Sequence, residues 1–258
     1  MAAESDVLDR LADEAIGLAE DRRAVLGIAG SPGAGKSTLV ERLIARIGER
    51  KGSGWVAHVP MDGFHLADEQ LRRIGALGRK GAPDTFDAVG YAHLLQRVAA
   101  ETDAPVYAPG FDRTLEQPLA AALVVLPTVR LVITEGNYLL LEHPAWLQAR
   151  RAMDRVWFVD SEEALRVERL VARHVEFGKS PDAAQAWVAD TDQPNLVLNE
   201  GGWNQARLGT GYPLSGHILI SGEKRTMYAI GGWNGTTELA EVRSWAPVTY
   251  QFIPQLEN

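Results

Sequence analysis

Residues 24–51 carry the feature that most limits what this chain can fold into. A short apolar run, Val25-Leu26-Gly27-Ile28-Ala29, ends at Gly30. Ser31-Pro32-Gly33-Ala34-Gly35-Lys36-Ser37-Thr38 follows, and then a segment with Leu39, Val40, Leu43, Ile44 and Ile47 at helical spacing. An uninterrupted apolar run of this length suits a strand buried on both faces, and the period after it suits an amphipathic helix. Gly30 to Ser37 match G-x-x-x-x-G-K-[ST] in full. The glycines let the backbone curl so that successive N–H groups point inward at phosphate oxygens. Lys36 brings a positive charge to the β- and γ-phosphates, and the Ser37 hydroxyl is a ligand for Mg²⁺. The helix that starts here directs its positive dipole end at the same anion. Gly30, Ser31, Gly33, Ala34, Gly35, Lys36, Ser37 and Thr38 are therefore the expected nucleotide-binding positions.

The segments around this loop alternate between helical and strand-like periods. Residues 5–20 place Val7, Leu8, Leu11, Ala15, Ile16 and Ala19 on one helical face. Trp55 to Val59, Leu131 to Thr134 and Val156 to Val159 read as strands. Residues 36–48, 87–100, 161–177 and 181–190 read as helices. Strands separated by helices imply crossover connections and a mostly parallel sheet covered on both faces.

Two carboxylates stand where such a sheet binds ligands. Asp62 follows the second strand in Met61-Asp62-Gly63-Phe64-His65, and Glu135 follows the third in Glu135-Gly136-Asn137. The carboxyl ends of parallel strands are where open α/β sheets hold their ligands. A carboxylate there can take a proton from an attacking hydroxyl, or hold Mg²⁺ directly or through water. Ser37, Asp62 and Glu135 are accordingly the expected metal ligands. No Asn-Lys-x-Asp base-reading motif occurs, which disfavours a GTPase, and no His-Glu-x-x-His spacing suggests a zinc site.

Composition removes other classes. The formal net charge is −8 and the pI near 5.3, against the basic footprint that a nucleic-acid binder needs. The longest apolar run, Leu119 to Leu126, is far short of the ~20 residues of a membrane span. The acidic first ten residues show no secretory signal, and the absence of cysteine excludes disulfides and thiolate chemistry. The expectation is a cytoplasmic protein without a nucleic-acid or membrane partner.

GSPGAGKS together with PMDGFHL (60–66), RKGAPDTFD (79–87), APVYAPGFDR (104–113), ITEGNYLL (133–140) and RLVARHVEFGKS (169–180) resembles the nucleoside/nucleotide kinase-like family. That family lies within the uridine kinase, pantothenate kinase and phosphoribulokinase superfamily, and some members are called fructose transport system kinases. The resemblance covers about residues 20–195. It implies the three-layer P-loop sandwich, ATP and Mg²⁺, and a small-molecule alcohol as acceptor. It implies that Asp62 is the base toward the acceptor hydroxyl and that Glu135 lies near Mg²⁺ and the acceptor. It further implies that Arg169 and Arg173 belong to a lid over the transferring phosphates, although Arg166, Arg169 and Arg173 at i, i+3 and i+7 also suit a solvated helix face. For the acceptor pocket, segments 62–91 and 104–113 offer Asp62, Phe64, His65, Lys80, Phe86, Tyr107, Phe111 and Arg113, beside Glu135. Arg79-Lys80 before Gly81 suits either an anionic acceptor or a solvated basic turn.

Composition shifts near residue 200. Charged residues number 51 over 1–199 and 9 over 200–258, roughly one in four against one in seven, so a boundary is expected at 195–205. His217 to Ile220, Met227 to Ile230 and Leu239 to Val242 read as short strands between Gly-rich turns. Residues 208–254 resemble a single kelch repeat, although one blade cannot bury its own faces. The two Gly-Gly-Trp-Asn units, at 201–204 and 231–234, are closer together than the ~50 residues of a kelch period. The expected organisation is a P-loop kinase domain over 1–199 and a β-rich tail over 200–258. The open expectations for the tail are that it packs on the kinase, pairs with another chain as in a homodimer, recognises a partner, is poorly ordered, or comes from an unnatural fusion or frame change.

The resulting expectation is ATP-dependent phosphoryl transfer to a hydroxyl of a nucleoside, sugar or pantothenate-like alcohol. Lys36, Asp62, Glu135 and Arg173 carry the chemistry. The alternative is a nucleotide-gated binding protein with weak ATPase activity and a partner-binding tail.

Overall fold

The structure is a computed structural model and describes residues 2–159, 163–192, 218–221, 227–230 and 242–245. Helix α1 (Ala2–Gly17) leads into β1 (Ala24–Gly30), α2 (Lys36–Lys51) and β2 (Val56–His58). A 3₁₀ turn at Met61–Phe64 precedes α3 (Asp68–Arg73) and α4 (Ala88–Ala100). Strands β3 (Val106–Asp112) and β4 (Gln117–Val125) form a hairpin, followed by β5 (Leu131–Gly136), α5 (Pro144–Arg151) and β6 (Arg155–Val159). Helices α6 (Glu163–Glu176) and α7 (Pro181–Trp187) come next, then β7 (Ile218–Ser221), β8 (Met227–Ile230) and β9 (Val242–Trp245).

The central sheet runs β2-β5-β1-β6-β7-β8-β9. Its first four strands are parallel, with Val25 opposite Val132, Leu26 opposite Arg155 and Ala57 opposite Val132. Parallel neighbours cannot be joined by tight turns, so the helices are forced onto the two faces. The period of two along β1 then sorts its side chains. Val25 and Ala29 pack with Tyr91, Leu95 and Trp146 of α4 and α5. Leu26 and Ile28 pack with Leu11 of α1 and Leu43 and Ile47 of α2. Every residue of β1 and β5 is buried, which explains why their sequences show apolar runs rather than alternation. This is an α/β sandwich of three layers, as the sequence predicts. Among the described residues no helix is long and apolar enough to cross a membrane.

The tail strands add to this sheet antiparallel, with Trp157 of β6 opposite Ile220 and Ile230 opposite Val242. Two of the three expected tail strands fall where predicted. The third starts at Val242, where the expected run 239–242 ends, because a run of four residues has too little period to fix its bounds. The Gly-Gly-Trp-Asn units and most of the kelch-like stretch lie outside the described residues. The β3–β4 hairpin is a feature the pattern does not announce. Pro109, Gly110 and Pro118 interrupt it, and its register slips between Ala108 and Gly110.

One buried arginine ties the layers together. Arg23 is 3% exposed and donates only to backbone. Its Nε reaches Val129 O at 2.8 Å, while its two Nη atoms reach Val98 O, Glu101 O, Leu126 O and Pro127 O at 2.9–3.1 Å. It thus closes the carbonyl end of α4 onto the turn before β5 and the entry to β1. Arg23→Met orphans these acceptors, each costing about 1–3 kcal/mol where water cannot replace the donor. Denaturant unfolding should show a loss of about 2–3 kcal/mol with unchanged slope; a change under about 0.5 kcal/mol would mean that water satisfies the turn equally well.

Candidate active site

The loop after β1 is built by backbone shape before any side chain acts. Gly33 and Gly35 have φ of 79° and 95°, a region that side chains rarely tolerate. This turns Lys36 back under the loop, where its Nζ donates to Gly30 O and Ser31 O, both at 2.9 Å, and to Asn137 Oδ1 at 2.6 Å. Burial pushes the Lys36 ammonium down to about 8, while the charges of Glu135 and Asp62 act against that fall and Arg173 adds to it. Three remote charged groups therefore share the surroundings of one ammonium.

The parallel register delivers the first of them. Ile28 of β1 lies opposite Glu135 of β5, so Glu135 stands beside the strand that feeds the loop. Its Oε2 accepts the Ser37 hydroxyl at 3.0 Å, and its Oε1 lies 3.5 Å from Nε2 of His58, at the end of β2. That nitrogen is buried and makes no hydrogen bond.

Asp62 comes from the 3₁₀ turn after β2. A side chain at Gly63 would collide with the Pro109 carbonyl, so this glycine lets the turn press against the β3–β4 hairpin. The tip of the hairpin reaches back over Asp62. Asp112 Oδ1 accepts from the amides of Thr114 and Leu115 at 2.8 and 2.9 Å, shaping the tip. Arg113 then donates to Asp62 Oδ2, and its guanidinium carbon lies 4.9 Å from the centre of the Phe111 ring. His65 sits between Phe86 and Phe111, with ring centres 4.0 and 4.8 Å away, and its Nδ1 is 2.8 Å from Asp62 O. Burial pushes its pKa down, against the pull of Asp62.

Helix α6 covers the loop from the other side. A Cβ at Gly33 would lie 2.9 Å from Arg166 O, and one at Gly35 would lie 3.7 Å from a terminal nitrogen of Arg169. Arg166 and Arg169 of the i, i+3, i+7 set thus lie beside the two loop glycines, and the charge of Arg173 acts on Lys36.

The chain is similar to known proteins. The Schizosaccharomyces pombe protein named "Putative uridine kinase C227.14" is 36% identical over 194 residues, covering 73% of this chain and 82% of its own. The chain belongs to the uridine kinase-like P-loop kinases. Another relative is the Escherichia coli protein YggC, 35% identical over 178 residues, covering 68% of this chain and 72% of that one. A solved structure from Silicibacter sp. TM1040, described as a "putative fructose transport system kinase", superposes with a TM-score of 0.69 at 34% identity, covering 76% of this chain and 94% of that one. Residues 3–63 also match the family Methylmalonyl Co-A mutase-associated GTPase MeaB. None of these similarities supports the kelch-like reading of the tail.

Within this kinase fold the expected site residues separate into groups. Ser37 meets Glu135 and Arg113 meets Asp62; the charges of Glu135, Asp62 and Arg173 act on Lys36, and Arg169 lies beside Gly35. Thr38 is exposed on the first turn of α2, whereas Ser31 and Ala34 are buried in the loop. Phe64 is buried against Tyr91, with ring centres 5.0 Å apart, and belongs to the core that supports the turn. Lys80 is engaged by Asp68 Oδ1 at 2.6 Å and by Glu116 O. Arg79 forks onto Asp84 at 2.7 and 2.8 Å, so both cations of the Arg79-Lys80 pair have carboxylate partners within the chain. Tyr107 is 61% exposed opposite Val124, and nothing brings it to Asp62. Sequence reasoning missed Asn137 and His58. Asn137 stands within the quoted ITEGNYLL segment, but no local signal shows that it meets Lys36.

Among the described residues no group of three or more His, Cys, Asp or Glu could hold a metal ion. The Ser37–Glu135 pair offers hard oxygen donors from two elements. That set fits Mg²⁺, which binds through one or two carboxylates and completes its shell with substrate phosphates and water.

Proposed function

We propose that this chain is an ATP-dependent kinase that transfers the γ-phosphoryl group to a hydroxyl of a small molecule. The observation that carries the reading is the meeting of Lys36, Glu135 and Asp62, from three elements, around one buried ammonium next to the Ser37–Glu135 hydrogen bond. ATP lies with its phosphates on Gly30 to Thr38. Lys36 leaves its carbonyl partners for the β- and γ-phosphate oxygens, and Asn137 steers its ammonium. Mg²⁺, held by Ser37 with Glu135 and Asp62 as further donors, would neutralise phosphate charge as it shifts toward the leaving group.

Asp62 orients the acceptor hydroxyl and takes its proton as the oxygen attacks. The new bond joins that oxygen to the γ-phosphorus. The bond to the β–γ bridging oxygen breaks, and its electron pair leaves on ADP. Arg169 and Arg173 on α6 stabilise the transferring group and shield it from water, which would otherwise be a competing acceptor. Residues 1–199 form the kinase unit in this proposal, since every group gathered at the site lies before residue 195.

The acceptor classes are a nucleoside, a sugar or a pantothenate-like alcohol; the names of the relatives add uridine and fructose to the panel. The match of residues 3–63 to a GTPase family favours a second reading, a nucleotide-gated binding protein with slow hydrolysis and a partner-binding tail. The test is ADP or GDP release from ATP or GTP, with and without a panel of alcohols. At least one alcohol should raise ADP release from ATP tenfold or more. Hydrolysis that no alcohol changes would replace the kinase by the nucleotide-gated binder.

A further inference from the structure

The cations of the two segments expected to form the acceptor site, 62–91 and 104–113, are not equivalent. Lys80 is mostly enclosed, its ammonium between the Asp68 carboxylate and the Glu116 carbonyl. Arg79 has both terminal nitrogens on Asp84. Arg113 differs on each count. Its side chain is 50% exposed, and among the described residues one terminal nitrogen makes its hydrogen bond, to Asp62. Its guanidinium is held over Phe111, whose ring also has Lys80 Nζ 5.7 Å from its centre. The plane is thus fixed by stacking while the other N–H groups of the fork face solvent at the site.

A guanidinium with an open fork recognises planar or tetrahedral oxyanions through paired, charge-assisted hydrogen bonds. Nothing else at this point of the pocket asks for one. An uncharged acceptor needs only the Asp62 carboxylate to receive its hydroxyl. A neutral pocket would also leave a half-exposed cation bound to the carboxylate that must receive the hydroxyl. An anion on the acceptor resolves both points, because it draws the guanidinium toward itself as the hydroxyl reaches Asp62.

Resting on the kinase reading above, we propose that the acceptor carries an oxyanion, a carboxylate or a phosphate, which Arg113 binds, a few bonds from the hydroxyl that receives the phosphoryl group. The short spacing follows from the direct contact between Arg113 and Asp62: a molecule that engages both has its anion and its hydroxyl on nearby carbons. Arg113 is then the residue that selects the acceptor, and the hairpin exists at this position to carry it. Of the acceptor classes considered, simple nucleosides and free sugars fall outside this description, and a pantothenate-like alcohol with its carboxylate falls within it; short hydroxy acids and phosphorylated sugars join it.

The experiment compares three acceptor sets by ADP release from ATP: short hydroxy acids, sugar phosphates, and neutral alcohols including uridine and fructose. The first two arms distinguish a carboxylate from a phosphate. The expected result is turnover with one anionic arm and little with the neutral arm. Arg113→Gln should then raise KM for the anionic acceptor about 10–100-fold, the worth of a charge-assisted pair, and Arg113→Lys should recover part of that loss. ATP binding by each variant, read by calorimetry, reports that it is folded. A neutral alcohol as the best acceptor, or an anionic acceptor whose KM does not change in Arg113→Gln, overturns this proposal and leaves the kinase reading standing. No response to any arm overturns the kinase reading itself, and this inference with it.

Discussion

Asp62→Asn should lower phosphoryl transfer about 10²–10⁴-fold while ATP still binds, as expected when a general base is removed. The amide is nearly the same size and fills the same place in the 3₁₀ turn, where the backbone oxygen of residue 62 accepts from the amide of His65 at 3.2 Å. Gly63 still lets that turn lie against Pro109, so the scaffold has no reason to move. What disappears is the capacity to accept the hydroxyl proton and the charge that holds Arg113. Single-turnover transfer, with ATP binding measured separately, checks this. A loss below about threefold would reduce Asp62 to an anchor for the hairpin tip.

The legible parts of this site are those whose chemical demand is met within one run of residues. Gly30 to Ser37 had to be contiguous because successive amides must cradle one polyphosphate, and the fold follows from the strand before it and the helix after it. Asp62 and Glu135 were legible because parallel strands bring their carboxyl ends to one edge, so two carboxylates at such ends must be near the loop between β1 and α2. The layers were legible for a similar reason: the residues of β1 and β5 are buried on both faces, and only a sheet covered twice accepts them.

The remainder depends on contacts between distant segments, and no pattern records those. Arg113 and Asp62 are 51 positions apart, and Lys36 and Asn137 are 101 apart. The element that makes the first contact is a hairpin broken by Pro109, Gly110 and Pro118, which does not look like a strand pair. Arg166, Arg169 and Arg173 show the limit differently. Their spacing fixed a common face, but a basic face suits solvent as well as phosphate. What a helix face packs against is set by the rest of the fold, and here Arg166 and Arg169 come to lie beside Gly33 and Gly35. In the tail, short β-like runs between Gly-rich turns marked strands, and the pairing of Trp157 with Ile220 shows what they add to, which a strand's own sequence does not encode.

Lys36→Met should reduce transfer by about 10²–10³-fold or more without lowering stability at pH 7. The two halves of this expectation have one cause. Lys36 is buried, and its ammonium is pushed down to about 8 from an ordinary 10.5, so the folded protein holds a charge at a cost of about 3 kcal/mol. Below pH 8 the ammonium is charged in both folded and unfolded chains, and the full cost is present. Between about 8 and 10.5 the unfolded chain binds more protons than the folded one, so wild-type stability should rise with pH across that window. Met fills much of the same volume without a charge, and its variant should lack this rise. It does leave the Gly30 and Ser31 carbonyls without their donor, which offsets part of the gain. Bound ATP reverses the balance, since phosphate charge favours the ammonium and draws its pKa back up. At pH 8, where about half the Lys36 side chains are neutral, ATP binding should therefore take up protons. Calorimetry in two buffers of different ionisation enthalpy reads that uptake directly. Lys36→Met, if it still binds ATP, should show none from this group. Equal uptake by both proteins, or full transfer by the variant, would place the phosphate-binding charge elsewhere than Lys36.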